Sequence, residues 1–103
     1  MEQLPKSYQQ FSEQFPDVIQ AYSDLGKAVH QSGPLDRKTR ELIKLGMAVA
    51  RGSEGAVHSH TRRAGEAGAS REEIYHVLLL AITSIGFSGS VAAYTWVNDV
   101  LQS

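Results

Sequence analysis

The stretch Ser70-Arg71-Glu72-Glu73-Ile74-Tyr75-His76-Val77-Leu78-Leu79-Leu80-Ala81-Ile82 decides the fold. Taken alone, Val77–Ile82 is apolar and β-branched enough to read as a buried strand. Its upstream context excludes that reading. Ser70 followed three residues later by Glu73 is a capping box: serine caps the first turn, and the glutamate reaches back to the serine amide. The apolar run therefore continues a helix that has already begun. A helix apolar all round must be covered on every side.

Working outward, the other segments are helical too. Residues 88–101 carry small residues (Ser88, Gly89, Ser90, Ala92, Ala93) and then Tyr94, Trp96, Val97, Val100 and Leu101. The small residues permit close helix approach, and the aromatics fill volume as packing or interface residues. Upstream, Gly68 suits the residue after a helix that begins at Ser53 or Glu54 and ends near Ala67. Asp36 is a good N-cap for a helix over residues 36–51. From Leu42 to Ala50 only Lys44 is charged, so this helix too is expected to be buried on most sides. Residues 17–31 follow Pro16 and place Val18, Ile19, Tyr22, Leu25, Ala28 and Val29 at amphipathic spacing. They should stop at Ser32-Gly33-Pro34. Residues 6–14 form a short helix. No period-2 strand pattern appears, and the expected class is all-α with about six helices.

Length and composition narrow the function. A chain of 103 residues is expected to be a single domain spanning 1–103. At this size folding buries roughly two-thirds of the unfolded surface. Two helices that are apolar all round exceed what so short a chain can cover, which argues for a homo-oligomer. A formal net charge of -1 is not that of a nucleic-acid binder. No uncharged apolar run approaches the ~18 residues of a membrane span. The start, MEQLPKSYQQ, lacks the apolar core of a signal peptide, so a cytoplasmic address is expected. The chain contains no cysteine, which removes disulfides, thiolate metal sites and thiol redox chemistry.

The residues left for chemistry centre on Glu41, Arg51, His58 and His60. His58-Ser59-His60 invites a metal reading, but at i, i+2 on a helix the rings point roughly 200° apart and cannot share an ion. No metal and no cofactor are expected. His60 has Ala56, Val57 and Ala64 around it and faces inward, while His58 is more solvated and can pair with Glu54 four residues earlier. Two readings of His60 stay open: a core histidine bonded to a carbonyl, or a general acid/base in a partly buried pocket. Glu41 is either a surface carboxylate paired with Arg37 or Arg40, or a buried one that orients a histidine. Ser53 is an N-cap; no G-x-S-x-G elbow supports a nucleophile. Gly86-Phe87-Ser88-Gly89 follows a helix rather than a strand and is no dinucleotide fingerprint.

Leu35-Asp36-Arg37-Lys38-Thr39-Arg40-Glu41-Leu42-Ile43, a helix containing His60-Thr61, and Gly65-Glu66-Ala67-Gly68-Ala69-Ser70-Arg71-Glu72-Glu73-Ile74 before an apolar helix occur in the order seen in a known family. Over roughly residues 20–100 the chain resembles the carboxymuconolactone decarboxylase family, which includes the AhpD-like alkylhydroperoxidases. The resemblance implies an all-α fold assembling as trimers or hexamers. In the peroxidase branch a Cys-x-x-Cys motif precedes a histidine, and an upstream glutamate completes a proton relay. Carried onto this chain, the relay positions are Glu41 and His60, and the cysteine positions hold Ser53 and Ala56. Without thiols a peroxidase route is not expected, because a thiolate must attack the peroxide and a second thiol must resolve the product. The decarboxylase branch implies cofactor-free loss of CO₂ from a small carboxylated lactone. His60 and Glu41 would then be the catalytic pair, with Arg51 or His58 meeting the anionic substrate. Where the decarboxylases carry an arginine, this chain has His58. The other expectations are a non-catalytic oligomeric module on the same scaffold and a degenerate alkylhydroperoxidase.

Overall fold

The computed structural model describes residues 5–103, and all regular structure among them is helical. The chain divides into two compact units that meet in sequence at Pro34 and Leu35.

The first unit holds α1 (Lys6–Gln14) and α2 (Pro16–Gln31). Pro16 opens α2 at its first turn, where a missing N–H costs nothing. Phe11 and Phe15 place their rings 5.1 Å apart beside that junction. At the far end the Ser32 amide and hydroxyl close onto the carbonyls of Val29 and Ala28. Neither helix contains a buried residue.

The second unit holds α3 (Arg37–Arg51), α4 (Glu54–Glu66), α5 (Arg71–Ile85) and α6 (Phe87–Leu101). Each boundary has a local cause. The Asp36 carboxylate accepts the Thr39 amide at 2.8 Å and starts α3. Gly52 ends it in the left-handed region, φ +68°, a conformation that costs other residues a Cβ clash. Ser53 caps α4, accepting the Ala56 amide. The predicted capping box of α5 is present in both directions, at 3.0 Å and 2.9 Å. Both capping carboxyls are held below their ordinary range, Asp36 by the Thr39 bonds and Glu73 by the Ser70 amide and then Lys38.

The core is a set of stripes, one from each helix: Leu45 and Val49, Val57 and Ala64, Ile74 and Leu78, Ala93 and Val97. α3 packs on α4 and α5, and α6 closes the unit against α4 and α5. Tyr75 donates to Asn98 Oδ1 at 2.7 Å across α5 and α6, and Lys38 pairs with Glu73 at 3.0 Å across α3 and α5. Arg71 donates to the Leu101 carbonyl.

The expected burial of α3 on most sides and of α5 on every side is not met within the second unit. Met47 stays 62% exposed, Leu79 61% and Leu80 60%. A four-helix unit gives each helix neighbours on one side, so the opposite side of an apolar helix stays open. No helix among the described residues is long and apolar enough to cross a membrane.

Candidate functional site

Glu41 lies in the second turn of α3, on the same inward stripe as Leu45 and Ala48. That placement follows from i, i+4, i+7 spacing alone. His60 lies on α4 between the buried residues Val57, Thr61 and Ala64. The two side chains meet: His60 Nδ1 stands 2.8 Å from Glu41 Oε1, with the carboxylate side chain 5% exposed and the imidazole 18%. An ionised carboxylate can only accept, so Nδ1 donates and Nε2 is the nitrogen left to exchange a proton.

This contact places Glu41 in the core, facing a histidine. Glu41 is no surface carboxylate paired along its own helix. Arg37 reaches Glu66 at 3.7 Å instead, and Arg40 donates to the Leu35 carbonyl at 2.7 Å. His60 is held by a carboxylate rather than by a carbonyl. The Arg40 Nε and the Thr61 hydroxyl are buried with no hydrogen-bond partner.

His58 points away from His60, as their spacing requires. Its Nε2 lies 2.9 Å from Asp99 Oδ2 on α6 and 4.0 Å from Glu54 Oε2. The Glu54 pairing was legible as an i, i+4 pair. Asp99 was not, because it lies 41 residues away and only the α4–α6 packing brings it near. Two carboxylates beside His58 oppose an anionic substrate there. The same three residues offer ligand atoms within 4.8 Å of one another, so they are the described group able to hold a cation, with both carboxylates exposed. Arg51 stands exposed in the last turn of α3 and lies in neither cluster.

A separate open groove of about 480 Å³ runs between α3 and α5. Leu42, Ile43, Gly46 and Ala50 line one wall, Val77, Leu80 and Ala81 the other, and Thr39, Glu73 and His76 add polar groups. Neither Glu41 nor His60 lines it. Glu41 belongs to the core-facing stripe of α3, and the groove uses that helix's other side.

Comparison with known proteins agrees with this fold. Residues 16–99 match the model of the carboxymuconolactone decarboxylase family. An uncharacterized protein of Haemophilus influenzae is 40% identical over 61 residues, 59% of this chain and 54% of that protein, so the match spans about half of the relative's length. An uncharacterized protein of Cupriavidus necator is 33% identical over 78 residues, 76% of this chain and 69% of its own. The crystal structure of a carboxymuconolactone decarboxylase family protein from Legionella pneumophila, in its apo form, superposes with a TM-score of 0.80 at 27% identity, covering 93% of this chain and 85% of that one. A family match over residues 16–99 and the shared six-helix fold lead to one conclusion: this chain is a member of the carboxymuconolactone decarboxylase family.

Proposed function

We propose that the Glu41–His60 pair is a cysteine-independent acid–base centre, acting on a small carboxylated lactone or a related enol-forming acid. The observation that carries this reading is the 2.8 Å contact between a nearly buried carboxylate and an imidazole that keeps partial access to solvent. In that role His60 is the catalytic residue and Glu41 positions it. Glu41 fixes the tautomer with Nδ1 protonated and stabilises the imidazolium when Nε2 takes up a proton. In decarboxylation the bond between the carboxylate carbon and the ring breaks. CO₂ leaves, the electron pair spreads into a conjugated enolate, and Nε2–H returns a proton to the ring carbon. Solvent then reprotonates Nε2. No thiol takes part, in keeping with the absence of cysteine. His58 already pairs with Asp99, and Arg51 stands ten residues beyond Glu41 along α3, so neither is assigned to the substrate carboxylate. The chain is also proposed to work as a homo-oligomer, trimeric or hexameric as the family resemblance implies. Its exposed apolar helix faces support that reading.

A second reading keeps the scaffold without the chemistry. The location of the α3–α5 groove favours it, because the groove does not open onto Glu41 and His60. A thermal-shift series of small carboxylates, carboxylated lactones included, separates the two on wild type and His60→Gln. A ligand at 100 times its Kd stabilises by about 2.7 kcal/mol. A shift seen in wild type and lost in the variant, followed by CO₂ release from that compound, supports the acid–base centre. No shift from any carboxylate supports the scaffold.

A further inference from the structure

We infer that Glu54, His58 and Asp99 form a site for one divalent cation of the zinc, cobalt and nickel class, and that this ion clamps α4 to α6. The site is separate from the Glu41–His60 pair and does not depend on the function proposed for it. Nor is it the His58–His60 pairing that helical spacing excludes.

The ligands come from two helices. Glu54 and His58 stand four residues apart on α4, so their side chains leave the same face. Asp99 arrives from the last turn of α6, which packs on α4. All three belong to the unit Leu35–Ser103. Their donor atoms converge: His58 Nε2 is 2.9 Å from Asp99 Oδ2 and 4.0 Å from Glu54 Oε2, and the three atoms lie within 4.8 Å of one another. Metal–ligand bonds of about 2.0–2.2 Å place two donors about 3 Å apart at octahedral angles and about 3.5 Å apart at tetrahedral ones. The observed separations straddle those values. A small rotation of Glu54, whose side chain is 59% exposed, closes the longer one.

Two observations mark this group as more than a surface ion pair. First, both carboxylates converge on one nitrogen. A ring nitrogen carries a single hydrogen, and at 4.0 Å Glu54 is beyond hydrogen-bond distance. A proton on Nε2 therefore serves Asp99 alone, whereas a metal on Nε2 binds both carboxylates. Second, Asp99 puts a carboxylate in the last turn of α6, where the helix dipole opposes an anion, and no basic residue in that turn offsets it. Two carboxylates and that helix end together favour a doubly charged ion over the single charge of an imidazolium.

The donor set selects the ion. Calcium and magnesium prefer oxygen donors alone, while imidazole combined with carboxylate suits zinc and its neighbours. Three protein donors leave a position for water. The imidazole is only 27% exposed and is held by the α4 packing, while both carboxylates face solvent and give the ion a way in. Bound there, the ion ties the start of α4 to the end of α6 and stabilises the folded chain by linkage.

Calorimetric titration of the chelator-stripped, tag-free chain with Zn²⁺ tests the inference, alongside Co²⁺ absorption and melting temperature. Wild type is expected to take up one ion per chain, to melt higher with Zn²⁺ and to show the visible bands of protein-bound cobalt. Mg²⁺ should do none of this. Loss of even an outer partner of a metal ligand costs about 10–100-fold in affinity, so Glu54→Gln and Asp99→Asn should each weaken zinc binding by at least that factor. Both carboxylates are exposed, so neither amide disturbs the core, and circular dichroism checks the fold. His58→Gln should abolish uptake, and His60→Gln should leave it intact. No uptake by wild type overturns the inference and leaves an ordinary ion pair between His58 and Asp99. Uptake undiminished in Glu54→Gln or Asp99→Asn overturns it too, as does uptake lost in folded His60→Gln.

Discussion

His60→Ala should cost far more stability than Glu41→Gln. The reason is an asymmetry in what each change leaves behind. Removing the imidazole strands a carboxylate that is only 5% exposed, 2.8 Å from where its donor stood. Uncompensated buried charges cost about 3 kcal/mol or more. The imidazole's own 18% exposure places the expected loss near the lower end, about 3 kcal/mol. Glu41→Gln keeps an acceptor oxygen in the same place. It turns a charge-assisted bond into a neutral one at a cost of about 1 kcal/mol. For a chain of this length each kcal/mol moves the melting temperature by roughly 4–8 °C, so the two variants should fall roughly 12–24 °C and 4–8 °C below wild type. Differential scanning calorimetry at one fixed protein concentration is the assay, because the proposed assembly would make the midpoint concentration-dependent. Equal losses for the two variants, or a loss below about 1 kcal/mol for His60→Ala, would refute the picture of a buried carboxylate that depends on this histidine.

Three further outcomes follow from the same geometry. The Asp36 and Glu73 carboxyls are held below the ordinary carboxylate range by the amides they cap, so their stabilisation is complete above that range and is lost as pH falls through the lower folded values. Glu73→Gln should therefore flatten the acid limb of a melting-temperature against pH curve, and an unchanged limb would count against the capping account. Tyr75→Phe removes the bond to Asn98 that joins α5 to α6 and should cost about 1 kcal/mol in a urea melt with an unchanged m-value. Hydroperoxide consumption by wild type with a dithiol reductant should match the protein-free blank, and any turnover above it would contradict the argument from the missing thiols.

Helix positions were legible because their causes are local. Asp36, Ser53 and Ser70 act on amides three residues away, and Gly52 and Gly68 act on their own backbone. The structure places α3 at Arg37–Arg51 and α5 from Arg71, in agreement with the expected caps at Asp36 and Ser70. The inward direction of His60 was legible for the same reason, through its helical neighbours Val57 and Ala64. Glu41 was not, because a carboxylate at the border of a polar first turn and an apolar stretch is equally compatible with either environment. Asp99 was illegible as a partner of His58, since nothing local marks it.

The sequence by itself determined the number of helices, their caps, the exclusion of thiol chemistry and the surplus of apolar helix surface. These depend on residue type and on spacings of a turn or two, over which a helix has little freedom. Tertiary structure alone decided that Glu41 and His60 touch, that His58 is engaged by Asp99, and that the groove lies on the other side of α3 from the pair. Each of those depends on how α3, α4, α5 and α6 rotate about their axes to bury Leu45, Val57, Ile74 and Val97 together. That rotation is a collective packing outcome of the whole unit, and no single segment encodes it.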